Sequence, residues 1–163
     1  MNNMKLLPGL IAVIIMNAAE IIFPQYEMEG VKVTDAGTFS GNLNGKEISN
    51  MIRYGEAEDL VTIATGDENF TLTVNCKGVS SISEIKAGTY KLPGSEEVTV
   101  LFVDNNMAVP FIVSKGAFTV TDNDEKVVKG TLEFTASAGG IPKEMGGTEA
   151  KLSGGRFEIT RKQ

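Results

Sequence analysis

From Thr38 to Thr160 apolar and polar residues alternate in short runs, and each run stops at a cluster of Gly, Asn or Asp. Alternation with a period of two puts one set of side chains on each face of an extended strand. A chain patterned this way buries its apolar set by pairing strands into sheets with one face covered. The strongest turn is Asn44-Gly45, between Thr38–Leu43 and Lys46–Ser49. Both central residues of a type I′ turn need positive φ, which Asn-Gly adopts at least cost. Leu60–Thr65 and Phe70–Cys76 bracket a second hairpin loop, Gly66-Asp67-Glu68-Asn69.

Further strands follow at hairpin spacing. Gly88–Leu92 is closed by Pro93-Gly94, and Val98–Asp104 is followed by Val109–Val113, where Pro110 predicts a sheet edge or a bulge. Phe118–Thr121 and Val127–Ala136 flank the acidic turn Asp122–Lys126, and Phe157 and Ile159 face inward on a closing strand. In Val98–Asp104, Leu101 and Val103 lie opposite Val98, Val100 and Phe102, so this strand is expected to be covered on both faces. About eight or nine short strands predict an all-β chain, an antiparallel sandwich or a flattened barrel. The division expected is a signal or anchor segment over 1–19, a linker over 20–36 and a single all-β domain over 37–163.

A domain of this size buries roughly 68–70% of its unfolded surface and needs no staple. The chain has one cysteine. Cys76 shares a strand face with Phe70, Leu72 and Val74, which predicts a buried structural thiol.

Leu6–Met16 is an apolar run behind Lys5, the order of an export signal. Small residues for cleavage occur at Ala18 and Ala19, and a second apolar patch, Ile21-Ile22-Phe23-Pro24, follows Glu20. A membrane span over Leu6–Phe23 would have to bury Asn17 and Glu20, at about 2.5–3.5 kcal/mol for an acidic residue at the bilayer centre. Removal as a signal is the economical reading, which places the protein outside the cytoplasm, in the periplasm or at the cell surface. An uncleaved anchor and a segment retained for assembly are the alternatives. Membrane contact is expected through this segment alone.

The net charge of −6, with 21 acids against 15 bases, opposes tracking of a phosphate backbone, so no nucleic-acid partner is expected. There is no histidine, which removes Ser-His and Cys-His nucleophiles together with the commonest zinc ligand. No Trp and three Tyr leave little for a sugar-stacking platform. Enzymatic activity and a cofactor are not expected. Asp122, Asn123, Asp124 and Glu125, joined by Asp104 and Asn105, could offer oxygen ligands to calcium, but the run lacks the mid-loop glycine and closing glutamate of an EF-hand. A plain turn is the simpler expectation, and no metal site is assigned. The Gly-rich run Gly139–Gly147 has no Lys-Ser/Thr and no following helix, so it reads as a connection and not as a phosphate loop.

Five segments together form a recognisable order: Leu43-Asn44-Gly45-Lys46, Gly88-Thr89-Tyr90, Phe118-Thr119-Val120-Thr121, Val128–Thr135 and Leu152-Ser153-Gly154-Gly155-Arg156-Phe157. The order resembles the small exported β-sandwich lipoproteins of Bacteroidota, a family of unknown function. The resemblance implies an envelope or surface accessory domain and carries over no catalytic residue. This chain differs in its leader, where Asn17-Ala18-Ala19-Glu20 offers no cysteine for a lipid.

The sequence therefore predicts a non-enzymatic envelope or surface domain that contacts a protein or glycan through its loops. The candidate contact residues are Ser80, Ser81 and Ile82 in one loop, and Ile141, Pro142 and Met145 in another. The competing reading is a structural subunit of an extracellular or viral particle that keeps its apolar N-terminal segment.

Overall fold

A computed structural model describes residues 32–124 and 126–161. The strands are β1 (Lys32–Leu43), β2 (Lys46–Ala57), β3 (Leu60–Gly66), β4 (Phe70–Lys77), β5 (Gly88–Leu92), β6 (Val98–Asp104), β7 (Val109–Asn123), β8 (Val127–Ala138) and β9 (Glu149–Thr160). They form one antiparallel sheet in the order β5-β7-β6-β4-β3-β2-β1-β9-β8, and a further pairing of β7 with β8 closes it. The result is an eight-stranded up-and-down barrel with β5 as one extra strand. Of the two architectures expected, the sandwich is thus replaced by the barrel. The physical reason is the β7–β8 and β1–β9 ladders, which leave no break where two separate sheets could part.

β1 begins at Lys32, earlier than the boundary expected at Gly37, because Lys32–Asp35 already pair with Glu56–Arg53. The expected leader lies outside the described residues. Asn44 and Gly45 have φ of 54° and 86°, as the hairpin turn requires.

β7 joins two segments that read as separate strands in the sequence. Phe111 and Val113 are buried at odd positions, whereas Phe118 and Val120 are buried at even ones. The register with β8 shifts between Val113 and Lys115, so Ser114 is an extra residue that switches the inward face. Pro110 is not on a sheet edge, since β7 runs between β6 and β8. It is tolerated because the β8 ladder starts one residue later, at Phe111. A similar shift in β9 falls between Ser153 and Arg156 opposite Ser40 and Asn42, where Gly154 takes φ of 59°.

The barrel interior is filled by side chains. Phe102 sits among Phe70, Phe111 and Phe134 at centroid distances of 6.0, 5.2 and 5.7 Å. Phe118 and Phe157 stack at 5.2 Å with their planes 10° apart. Such contacts add about 0.5–1.5 kcal/mol each beyond the area they bury. Cys76 is buried on the face shared with Phe70, Leu72 and Val74, as expected.

Candidate functional site

The up-and-down order gives the barrel two mouths. One mouth carries the start of β1, the β2–β3 turn, the loop from β4 to β5 and the β7–β8 turn. The other carries the β1–β2, β3–β4, β6–β7 and β8–β9 connections. The two candidate contact loops are therefore separated: Ser80, Ser81 and Ile82 belong to the first mouth, and Ile141, Pro142 and Met145 to the second.

At the first mouth the loop is a plug. β6 pairs with β7 over Phe102–Asp104 and then diverges, and β5 takes its place against Gly116–Val120. Ile82, Ile85 and Leu92 are buried there as part of the core. Ile82 is 1% exposed, so its side chain faces the interior and not a partner. The Asn123 amide donates to the carbonyls of Ile82 at 3.1 Å and Ile85 at 2.6 Å, and its oxygen accepts from the Arg161 guanidinium. Glu56 accepts from the Ser81 hydroxyl at 2.9 Å and from the Ile82 amide at 2.8 Å. Ser80 accepts from the Asp59 amide at 3.2 Å. Both serines are thus tied to the end of β2 and the β2–β3 turn.

The acidic residues considered for calcium are also divided between the mouths. Asp122–Asp124 lie at the first and Asp104–Asn105 at the second, so the fold does not bring them together. Asp124 accepts from the amides of Lys126 and Val127, both at 2.7 Å, and these two bonds hold its carboxyl below the usual carboxylate range. Asp104 accepts from the amides of Asn106 and Met107. Each aspartate closes its own turn, as the simpler expectation had it. Among the described residues no three metal-ligating side chains cluster. Glu125 lies outside them.

The second mouth carries the exposed apolar side chains. The loop after β8 is anchored by the Gly139 amide on the Pro110 carbonyl at 2.9 Å and the Ala138 amide on the Thr148 carbonyl at 2.9 Å. Within it, Lys143–Met145 form a single 3-10 turn closed by Gly146 at φ of 85°. This frame holds Ile141 and Met145 outward at 52% and 78% exposure, and Ile112 beside Gly140 at 59%. Met107, in the β6–β7 turn, extends the rim. Met51 is exposed as well, but β2 lies half-way round the barrel from β7.

Ile112 and Met107 were not among the residues expected from the sequence. Ile112 was legible in principle, because a strand that buries Phe111 and Val113 must turn Ile112 to the other face. Met107 sits in a turn, where alternation gives no signal.

No family model, no curated protein and no solved structure matches this chain. Among the described residues no helix is long and apolar enough to cross a membrane.

Proposed function

We propose that this protein is a non-enzymatic binding domain of the cell envelope or surface that holds a protein partner on the apolar rim of its second mouth. The observation that carries this reading is the outward display of Ile112 by β7 and of Ile141 and Met145 by the adjoining loop, whose backbone is tied to β7. Large aliphatic and thioether groups held at the surface cost free energy in isolation and regain it on association. The filled interior directs attention to the rim and away from the lumen. A rim of Ile and Met, without an aromatic face, favours a protein over a glycan. The apolar run Leu6–Met16 supports export, and the absence of histidine supports a binding role.

The test is a photoreactive residue placed at Met145 in the full chain within the host envelope, beside a control at Glu158 on β9. One discrete adduct at position 145 is expected, and it should disappear with Ile112→Asp and Ile141→Asp. Equal labelling at both positions, or an adduct that survives the substitutions, overturns the reading.

A further inference from the structure

Asn69-Phe70-Thr71 is the only Asn-x-Ser/Thr triplet in the chain, and in an exported protein such a triplet on a surface loop is the acceptor for an N-linked glycan. It falls at the β3–β4 hairpin, where Asn69 is the last loop residue before β4. The Asp67 carboxylate accepts from the amides of Asn69 at 2.7 Å and Phe70 at 3.3 Å, and the Asn69 carbonyl accepts from the Asn105 amide at 2.9 Å. The backbone is thus fixed from two sides while the Asn69 side chain is exposed. Among the described residues its carboxamide has no hydrogen-bond partner, whereas Asn44, Asn50, Asn75, Asn105 and Asn123 all use theirs within the fold.

We propose that Asn69 carries an N-linked glycan, attached to the exported chain before the barrel closes. The proposal rests on the export expected from Leu6–Met16 and not on the partner at the rim. The donor class is an oligosaccharide joined through C1 to a lipid pyrophosphate. A bond forms between the Asn69 amide nitrogen and C1, the C1–oxygen bond to phosphate breaks, the lipid pyrophosphate leaves with its electron pair, and the nitrogen gives up one proton. The order of events follows from Thr71, because a transferase reads the hydroxyl of the third residue together with the asparagine. Thr71 is 5% exposed, and its hydroxyl donates to the Asn105 carboxamide oxygen at 3.2 Å. Phe70 is buried against Phe102. The folded barrel therefore hides two of the three residues that an acceptor presents, yet leaves the Asn69 amide open to water and able to keep a sugar already attached. The β3–β4 and β8–β9 connections lie opposite each other round the second mouth, so the glycan stands across it from Ile141 and Met145.

The test is mass spectrometry of the full chain recovered from its native host by cell fraction, read on the tryptic peptide Tyr54–Lys77. Glycan mass on Asn69 is expected in the envelope or secreted fraction, with complete loss in Asn69→Gln, whose exposed site leaves the fold intact. Thr71→Ser keeps the hydroxyl and should keep the glycan, while Thr71→Val should lose it. The folded chain made without glycan and offered to host membranes should stay unmodified. Bare Asn69 in the envelope or secreted fraction overturns the proposal alone, and a chain confined to the cytoplasm overturns it together with export. Sugar mass that survives Asn69→Gln overturns it by assigning the glycan elsewhere. Efficient modification of the folded chain overturns the order of events.

Discussion

The side-chain amide of Asn123, at the end of β7, donates to the backbone carbonyl of Ile85 at 2.6 Å and so fastens the β7–β8 turn to the loop that plugs the barrel. A second bond from the same amide reaches the carbonyl of Ile82. Glu56 holds the other side of the plug, through Ser81 and the Ile82 amide. A loop that would otherwise be a surface connection is in this way made part of the core.

Replacing Asn123 by Ala removes the donor and leaves two part-buried carbonyls without it. A loss of about 1–3 kcal/mol in urea unfolding is expected. Amide exchange over Lys77–Ala87 should accelerate more than exchange in the β1–β2 ladder. Uniform acceleration would show that the plug has no opening of its own.

Gly130 of β8 lies beneath the Phe157 ring, and a Cβ there would collide with that ring and with the Thr119 carbonyl. Gly130→Ala should therefore destabilise the barrel by about 1–3 kcal/mol through overpacking. Phe157→Leu in the same chain makes room and should recover part of the loss. Strictly additive effects in the double-mutant cycle would rule out the Phe157 ring as the cause and leave the Thr119 carbonyl.

Burial pushes the Cys76 thiol up from 9.0 to about 12. The unfolded thiol loses its proton first, so between about pH 9 and 12 the unfolded state binds fewer protons and stability falls as pH rises. The stabilisation is fully present below the unfolded value and is lost towards the folded one, at up to about 1.4 kcal/mol per pH unit. Cys76→Ala lacks this component, so its unfolding free energy should decline less steeply over that window than that of the native chain. A disulfide-exchange reagent should also leave the native thiol untouched and react with it in denaturant. Equal slopes, or rapid labelling of the folded protein, would contradict the buried placement.

Much of the local structure was legible in the residues themselves. Asn44-Gly45 had to be a turn, Asp67 and Asp124 were positioned to close theirs, and alternation put Cys76 with Phe70, Leu72 and Val74. Of the six candidate contact residues, Ile141 and Met145 are exposed on the rim, Pro142 lies in the same loop, and Ser80, Ser81 and Ile82 belong to the plug. Ile82 shows why the plug went unseen. An isoleucine among serines looks the same in sequence whether it faces water or fills the end of a barrel.

Sequence alone determined that the chain is all-β, which residues alternate inward, and where the tightest hairpins turn, because these follow from φ preferences and from a side-chain period of two. Tertiary structure decided the closure, through ladders between strands as distant in sequence as β1 and β9. It also decided the change of face at Ser114 and Gly154, and the assignment of two similar loops to opposite mouths. The reason is that alternation specifies a face but not a neighbour. Strand partners and bulges are fixed only when backbone hydrogen bonds, strand tilt and a filled interior must be satisfied together around a closed sheet.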